Sequence, residues 1–252
     1  MPIALITGAS AGLGAEFARQ LASHGYDLVL VARDRARLDA LALTLPVRVE
    51  VMAADLLDAA SRALVEARLA ATERPVDYLV NNAGFGLATE FDESTVEEES
   101  AQLELLATVP LRLAHAALSQ MLPRHSGRIL TVASVAGFAG LGAYSAAKSW
   151  AITFSRWANA YYRSSGVTVT ALAPGFVRTE FHERMGATRE SMAPRAAWLD
   201  ADRVVRAALR DVDRRRPVSI PSARYRALIG VLPLLGPAIR AGVARRGTAA
   251  RS

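Results

Sequence analysis

Tyr144 and Lys148 stand four residues apart in Tyr144-Ser-Ala-Ala-Lys148, and Lys148 is the only lysine among 30 basic residues, the other 29 being arginine. On a helix this spacing puts a phenol and a primary amine on one face. An ammonium close to a phenol favours the phenolate and lowers such a group's pKa from about 10 toward the working range of an enzyme. A phenol so placed can pass a proton to or from a substrate oxygen near neutral pH. An exposed helical pair would share the same four-residue spacing, so the rest of the chain has to decide between the two.

The elements that would position this pair follow an alternating pattern. Apolar runs of strand length cover 3–7, 28–32, 47–52, 76–80, 128–132, 167–172 and 218–220, and helix-period segments cover 12–23, 34–44, 59–71, 96–122, 143–164 and 200–211. Strands that alternate with helices predict βα units and a parallel sheet covered on both faces. The expected fold is therefore α/β: a doubly wound (Rossmann) seven-stranded parallel sheet in a single domain. A 252-residue chain that is 52 % hydrophobic has ample material for one such core. Residues 1–221 are expected to form the dinucleotide-binding and catalytic domain, with a substrate loop at about 179–199. Residues 222–252 are expected to form a basic, partly apolar C-terminal extension.

Several turns carry their own chemistry. Thr7-Gly8-Ala9-Ser10-Ala11-Gly12-Leu13-Gly14 lies between the first strand and the first helix. Gly8 suits the tight turn, Gly12 lets the backbone approach a pyrophosphate, and Gly14 lets helix and strand pack closely, with the helix N-terminus facing the phosphates. At the end of the second strand Ala32 occupies the slot where a carboxylate would accept from the ribose 2′-hydroxyl of NAD, and Arg33 follows it. A guanidinium there suits a 2′-phosphate, so NADP(H) is expected over NAD(H). Asp34 reads as the cap of the next helix. Asp55 has two readings, an acceptor for the adenine amino group or a turn residue before Leu56. Asn81-Asn82-Ala83-Gly84 falls at the carboxyl edge of the fourth strand, where ligands sit in open α/β sheets.

Thr7-Gly8-x3-Gly12-x-Gly14, Asn81-Asn82-Ala83-Gly84, Ser134, Tyr144-x3-Lys148 and Pro174-Gly175, in this order, resemble the classical short-chain dehydrogenase/reductase family over residues 3 to about 220. The resemblance implies that Tyr144 is the general acid, that Lys148 holds the nicotinamide ribose and tunes the tyrosine, and that Ser134 hydrogen-bonds a substrate carbonyl. It likewise implies a dinucleotide bound by Thr7, Gly8, Ser10, Gly12, Leu13, Gly14, Arg33, Asp55, Asn82, Ala83, Gly84, Tyr144, Lys148, Pro174, Gly175, Val177 and Thr179. The implied reaction is reduction of a carbonyl with NADPH, or oxidation of the matching alcohol. Asn82 and Gly84 would line the adenosine side, and Thr179 the carboxamide end. Members of the family commonly form dimers or tetramers through the long helices on either side of the fifth strand.

Two features depart from the family's pattern. Leu106 stands where the family usually has an asparagine that supports a proton-leading water, and a leucine cannot hold that water. Ser134 and Tyr144 are ten residues apart, closer than is usual, with Gly137, Gly140 and Gly142 making a tight link feasible. A dinucleotide-binding sensor or scaffold without turnover is therefore the alternative to an enzyme.

The remaining features bound the partners. From 203 onward twelve arginines face only Asp211 and Asp213, so this segment carries +10 against −4 for the rest, within a formal net charge of +6. It reads either as a solvated tail or as a surface for anionic headgroups or carrier phosphates. No binding motif or aromatic interleaving accompanies the arginines, which argues against nucleic acid. The apolar stretch 227–239, broken by Pro233 and Pro237, is too short for a bilayer span of about 20 residues. Residues 222–252 would either pack on the substrate loop or a second subunit, or lie peripherally on a membrane. The substrate is expected to be a small apolar ketone or 3-oxoacyl thioester, given Phe181, Met185, Met192 and Trp198 in the loop. His24, His115, His125 and His182 lack metal-ligand spacing, so no metal is expected. The chain has no cysteine and begins on an apolar strand, so a cytoplasmic setting is expected, with contact to the inner membrane face as the variant. Trp150 and Trp157 share a face of the helix that carries Lys148, which suits core or interface packing.

Overall fold

In the computed structural model, which describes residues 1–140, 142–183 and 194–231, seven parallel strands form one sheet in the order β3-β2-β1-β4-β5-β6-β7. The strands are β1 Ile3–Thr7, β2 Asp27–Ala32, β3 Val49–Ala53, β4 Tyr78–Asn81, β5 Gly127–Val132, β6 Val167–Leu172 and β7 Val218–Ser219. After β1 the chain builds outward through β2 and β3, then returns to add β4 on the other side of β1. The direction of winding therefore reverses between β1 and β4, and the crevice at their carboxyl ends is where a doubly wound sheet takes its ligand. Ile6 pairs with Val80 beside that crevice.

Side chains alternate along each strand, so each face has its own core. Ala4 and Ile6 of β1 join Leu28 and Leu30 of β2 against α1 (Gly12–Ser23), α2 (Arg35–Ala42) and α8 (Ala201–Asp213), whose Phe17, Leu38 and Val205 are fully buried. Ile3 and Leu5 join Val29 and Val31 on the other face. There they meet α3 (Ala59–Ala70), α5 (Val109–Met121) and α6 (Gly142–Tyr162) through Leu69, Leu113 and Ala158. Strands buried on both faces explain why the sequence shows continuous apolar runs instead of an alternating pattern.

The single helix expected at 96–122 is corrected by the structure to α4 (Val96–Leu103), a π-helical turn at Glu104–Thr108, and α5. Pro110 supplies the reason. It has no N–H to give the Leu106 carbonyl four residues back, and its ring would clash there in a continuous α-helix, so the backbone swells just before it. The expected substrate loop is likewise not wholly irregular. It contains α7 (Glu180–Glu183), a 3₁₀ turn at Arg195–Ala197 and a parallel bridge between Val177 and Leu199. Its central part, 184–193, lies outside the described residues, as does 232–252 of the C-terminal extension. The start of that extension forms α9 (Ala223–Val231). Among the described residues no helix is long and apolar enough to cross a membrane.

Candidate active site

At the switch point two turns are tied into one piece. Thr7 closes β1 with its side chain buried, and its Oγ1 accepts from the N–H groups of Asn82 at 2.9 Å and Ala83 at 3.0 Å. The Asn82 amide donates back to the carbonyls of Thr7 at 2.9 Å and Gly8 at 3.2 Å. The buried Thr7 thus acts by shaping the crevice. A methyl group on Gly14 would strike the Gly8 carbonyl and lie 2.6 Å from Asn82 Nδ2, so only glycine lets α1 start this close to β1. The residue before α1 is Ala11, which provides no side-chain cap. The cap residue therefore does not compete for the first-turn N–H groups at the carboxyl edge, where a helix N-terminus suits an anion. Ser10 and Leu13 are half-buried in the same turn. Gly12 packs against Thr179, whose Cβ would be 3.2 Å from a methyl on that glycine. The Thr179 hydroxyl accepts from Phe181 N–H at 3.3 Å.

At the end of β2, Arg33 is exposed and has neither ion-pair nor hydrogen-bond partner among the described residues. Its neighbours are engaged: Arg35 with Asp39 at 3.5 Å and Arg37 with Glu180 at 2.9 Å. Asp34 caps α2 by accepting from Arg37 N–H at 3.0 Å. One oxygen of Asp55 accepts from Leu57 N–H at 3.0 Å, the turn alternative for that residue.

The amine and the phenol come together on α6. Lys148 Nζ lies 5.6 Å from the centroid of the Tyr144 ring and donates to the Val132 carbonyl, at the end of β5, at 2.7 Å. The lysine is only 6 % exposed. Burial lowers its pKa from 10.5 to about 8, because a desolvated ammonium is penalised against the neutral amine. A methyl on Gly84 would sit 4.0 Å from Lys148 Nζ and 2.8 Å from Leu106 Cδ2. Gly84, Leu106 and Lys148 therefore converge, and the leucine fills space beside the amine.

Ser134 follows β5. Its Oγ accepts from Ala136 N–H at 3.1 Å, and its proton has no acceptor among the described residues, so the hydroxyl retains a donor. Val135 N–H donates to the Pro174 carbonyl at 3.0 Å, which places the Ser134 turn beside Pro174-Gly175. The short link to Tyr144 works because the 3₁₀ turn Val135–Phe138 lies directly on α6. A methyl on Gly137 would be 2.8 Å from the Lys148 backbone carbon, and Ser145 Oγ donates to the Ala136 carbonyl at 2.8 Å. Gly140 and Gly142 take φ of +65° and +81°, which lets the chain turn sharply into the helix.

After β6 the loop is braced from two sides. Val177 is buried and bridges to Leu199, Arg178 N–H donates to the Leu199 carbonyl at 2.9 Å, and the Phe176 and Trp198 rings are 5.4 Å apart. Tyr225 of α9 lies against Gly175. Sequence reasoning missed Tyr225 and Ser145. The only available signal for Ser145 was its place beside Tyr144, and Tyr225 gave none, standing between two arginines in a tail with no periodic pattern.

The short chain dehydrogenase family model matches residues 2–190. The chain belongs to that family. It is accordingly an NAD(P)-dependent oxidoreductase acting on carbonyl and alcohol groups. Among curated relatives, the 3-oxoacyl-[acyl-carrier-protein] reductase FabG of Escherichia coli is 34 % identical over 181 residues, covering 71 % of this chain and 74 % of the relative. Among solved structures, a short-chain dehydrogenase from Sphingobium yanoikuyae in complex with NADPH superposes with a TM-score of 0.84 at 39 % identity, covering 92 % of this chain and 93 % of that one. The bulky-bulky ketone specific alcohol dehydrogenase from Comamonas testosteroni gives a TM-score of 0.78 at 32 % identity, covering 94 % and 96 %.

Proposed function

We propose that this dehydrogenase reduces an apolar ketone or 3-oxoacyl group with NADPH, or catalyses the reverse oxidation, using Tyr144, Lys148 and Ser134. The observation that carries the reading is the buried Lys148 ammonium, held by the Val132 carbonyl 5.6 Å from the Tyr144 ring and beside Gly84 at the crevice. The cradle suits a dinucleotide: Gly14 leaves no room for a side chain, the α1 N-cap makes no side-chain bond, and the exposed Arg33 has no partner among the described residues, which suits a 2′-phosphate. When bound, NADPH would supply the hydride. Tyr144 would give its phenolic proton to the substrate oxygen, and Ser134 would donate a hydrogen bond to the same oxygen. Below about pH 8 the Lys148 ammonium stabilises negative charge developing on the phenol and orients the nicotinamide ribose. The relatives' names, a 3-oxoacyl reductase and a bulky ketone dehydrogenase, support the substrate class.

The exposed Trp157, Tyr161, Leu103 and Leu111 on α4, α5 and α6 support a homo-oligomer, dimer or tetramer, paired through these helices. We take residues 1–221 as the catalytic domain and the cytoplasm as its setting. Leu106, packed beside Lys148, favours a second reading, a dinucleotide-binding sensor without turnover. The separating experiment follows NADPH absorbance with a panel of aryl ketones and 3-oxoacyl thioesters, for the wild type and Tyr144→Phe. The expected outcome is turnover of at least one substrate, reduced about 10²–10⁴-fold in the variant while NADPH still binds. Tight NADPH binding by the wild type with no turnover across the panel would establish the sensor.

A further inference from the structure

Tyr225 belongs to α9, at the start of the C-terminal extension, yet its ring lies directly against Gly175 in the loop after β6. Its hydroxyl accepts from Phe176 N–H at 3.3 Å and donates to the Ala197 carbonyl at 2.9 Å. One phenol thus joins three segments that lie far apart in sequence: the Pro174–Thr179 loop, the returning arm of the substrate loop, and α9. Burial raises the pKa of this phenol, outweighing the opposing effect of the Phe176 N–H, so it stays protonated and able to donate. Tyr225 also lines a cavity of about 540 Å³ together with Trp198, Leu199, Val204, Pro221 and Leu228. The two hydrogen bonds tie the Tyr225 hydroxyl to both arms of the loop.

We propose that Tyr225 is a positioning residue that fixes the backbone of 175–179 against the nicotinamide half of the bound cofactor. This inference rests on the reading of that loop as cofactor-binding. Removing the hydroxyl takes away its bonds to Phe176 N–H and the Ala197 carbonyl and lets the loop shift relative to Ala197 while the ring still covers Gly175. The cost is expected at the nicotinamide end, because among the described residues the hydroxyl bonds to Phe176 and Ala197 and not to the Gly8–Gly14 turn or Arg33.

The test compares wild type, Tyr225→Phe and Arg224→Ala in fluorescence titrations with NADPH and with adenosine 2′,5′-bisphosphate, which carries only the adenosine end. Arg224 donates to the Ala196 carbonyl at 2.8 Å from the same helix and makes no hydrogen bond to 174–179 among the described residues, so it reports simple loosening of α9. Tyr225→Phe is expected to weaken NADPH about five- to tenfold, the worth of one hydrogen bond, to leave the bisphosphate unchanged, and to lower kcat. Arg224→Ala is expected to change neither ligand. Unaltered NADPH affinity and kcat in Tyr225→Phe, or equal weakening of both ligands, would overturn the inference. So would equal effects of the two substitutions. A wild type that binds no NADPH would instead overturn the functional reading itself, and the inference with it.

Discussion

Replacing Lys148 with methionine keeps the length of the side chain and removes its charge, and the burial of the amine sets the direction in which the effect on stability changes with pH. The folded protein holds this amine with a pKa lowered from 10.5 to about 8 by burial. Between those values the unfolded chain keeps a proton that the folded chain has released, so stability rises as pH rises through the window. Below pH 8 both states are charged and folding carries the full penalty, about 3 kcal/mol at about 1.4 kcal/mol per pH unit. By pH 9.5 about half of it is left. The variant also loses the bond to the Val132 carbonyl, 2.7 Å long, at a cost of about 2 kcal/mol for a charged donor. Lys148→Met is therefore expected to be about 1 kcal/mol more stable than wild type at pH 7 and slightly less stable at pH 9.5, while losing turnover. Tyr26, Tyr78 and Tyr225, whose pKa values burial raises, lose stability at higher pH in both proteins and cancel in the comparison. Urea unfolding followed by circular dichroism, at equal protein concentration from pH 7 to 9.5, measures the difference. A difference between the two proteins that stays flat across this range would refute the burial argument, as would one sloping the other way.

Arg33→Ala is expected to weaken NADPH by about 10- to 100-fold, the worth of a charge-assisted phosphate contact, and to leave NADH unchanged, as read from KM for each cofactor. A variant with undiminished preference for NADPH would show that Arg33 has no part in the choice. Leu106→Asn places an amide beside Gly84 and Lys148; it is expected to cost about 2 to 4 kcal/mol of stability by exchanging a buried leucine for a polar group. If water-led proton supply limits the wild type, kcat rises in the surviving folded fraction. An unchanged kcat per folded molecule would show that the leucine does not limit proton supply.

Much of the architecture was legible because strands buried on both faces leave uninterrupted apolar runs. β1 and β6 fall where the sequence puts them, as does α1. The carboxyl rims were harder. β4 reaches the polar Asn81, which pairs with Thr131, because ladder hydrogen bonds carry on where apolar side chains stop, and β3 extends one residue further, to Ala53, through its pairing with Ala32. Pro110 sat in plain view inside an apolar periodic run, and periodicity alone could not show that the chain would absorb it by swelling into a π turn. In the site, helical spacing placed Tyr144 and Lys148 on one face, as the structure has them, while their candidacy needed the company of the other motifs. The roles of Thr7 and Asn82 depend on contacts some 75 residues apart in sequence, and that of Tyr225 on contacts 28 and 49 residues away. No local pattern encodes such pairings.

The chain's single lysine has a practical consequence. Amine-directed acylation, reductive methylation or coupling to a solid support can find, apart from the N-terminus, only Lys148, whose lowered pKa makes the neutral nucleophilic form plentiful near pH 8. On the proposed role of Lys148, one covalent event at that nitrogen would both mark the protein and silence it, with the burial of the nitrogen setting the rate.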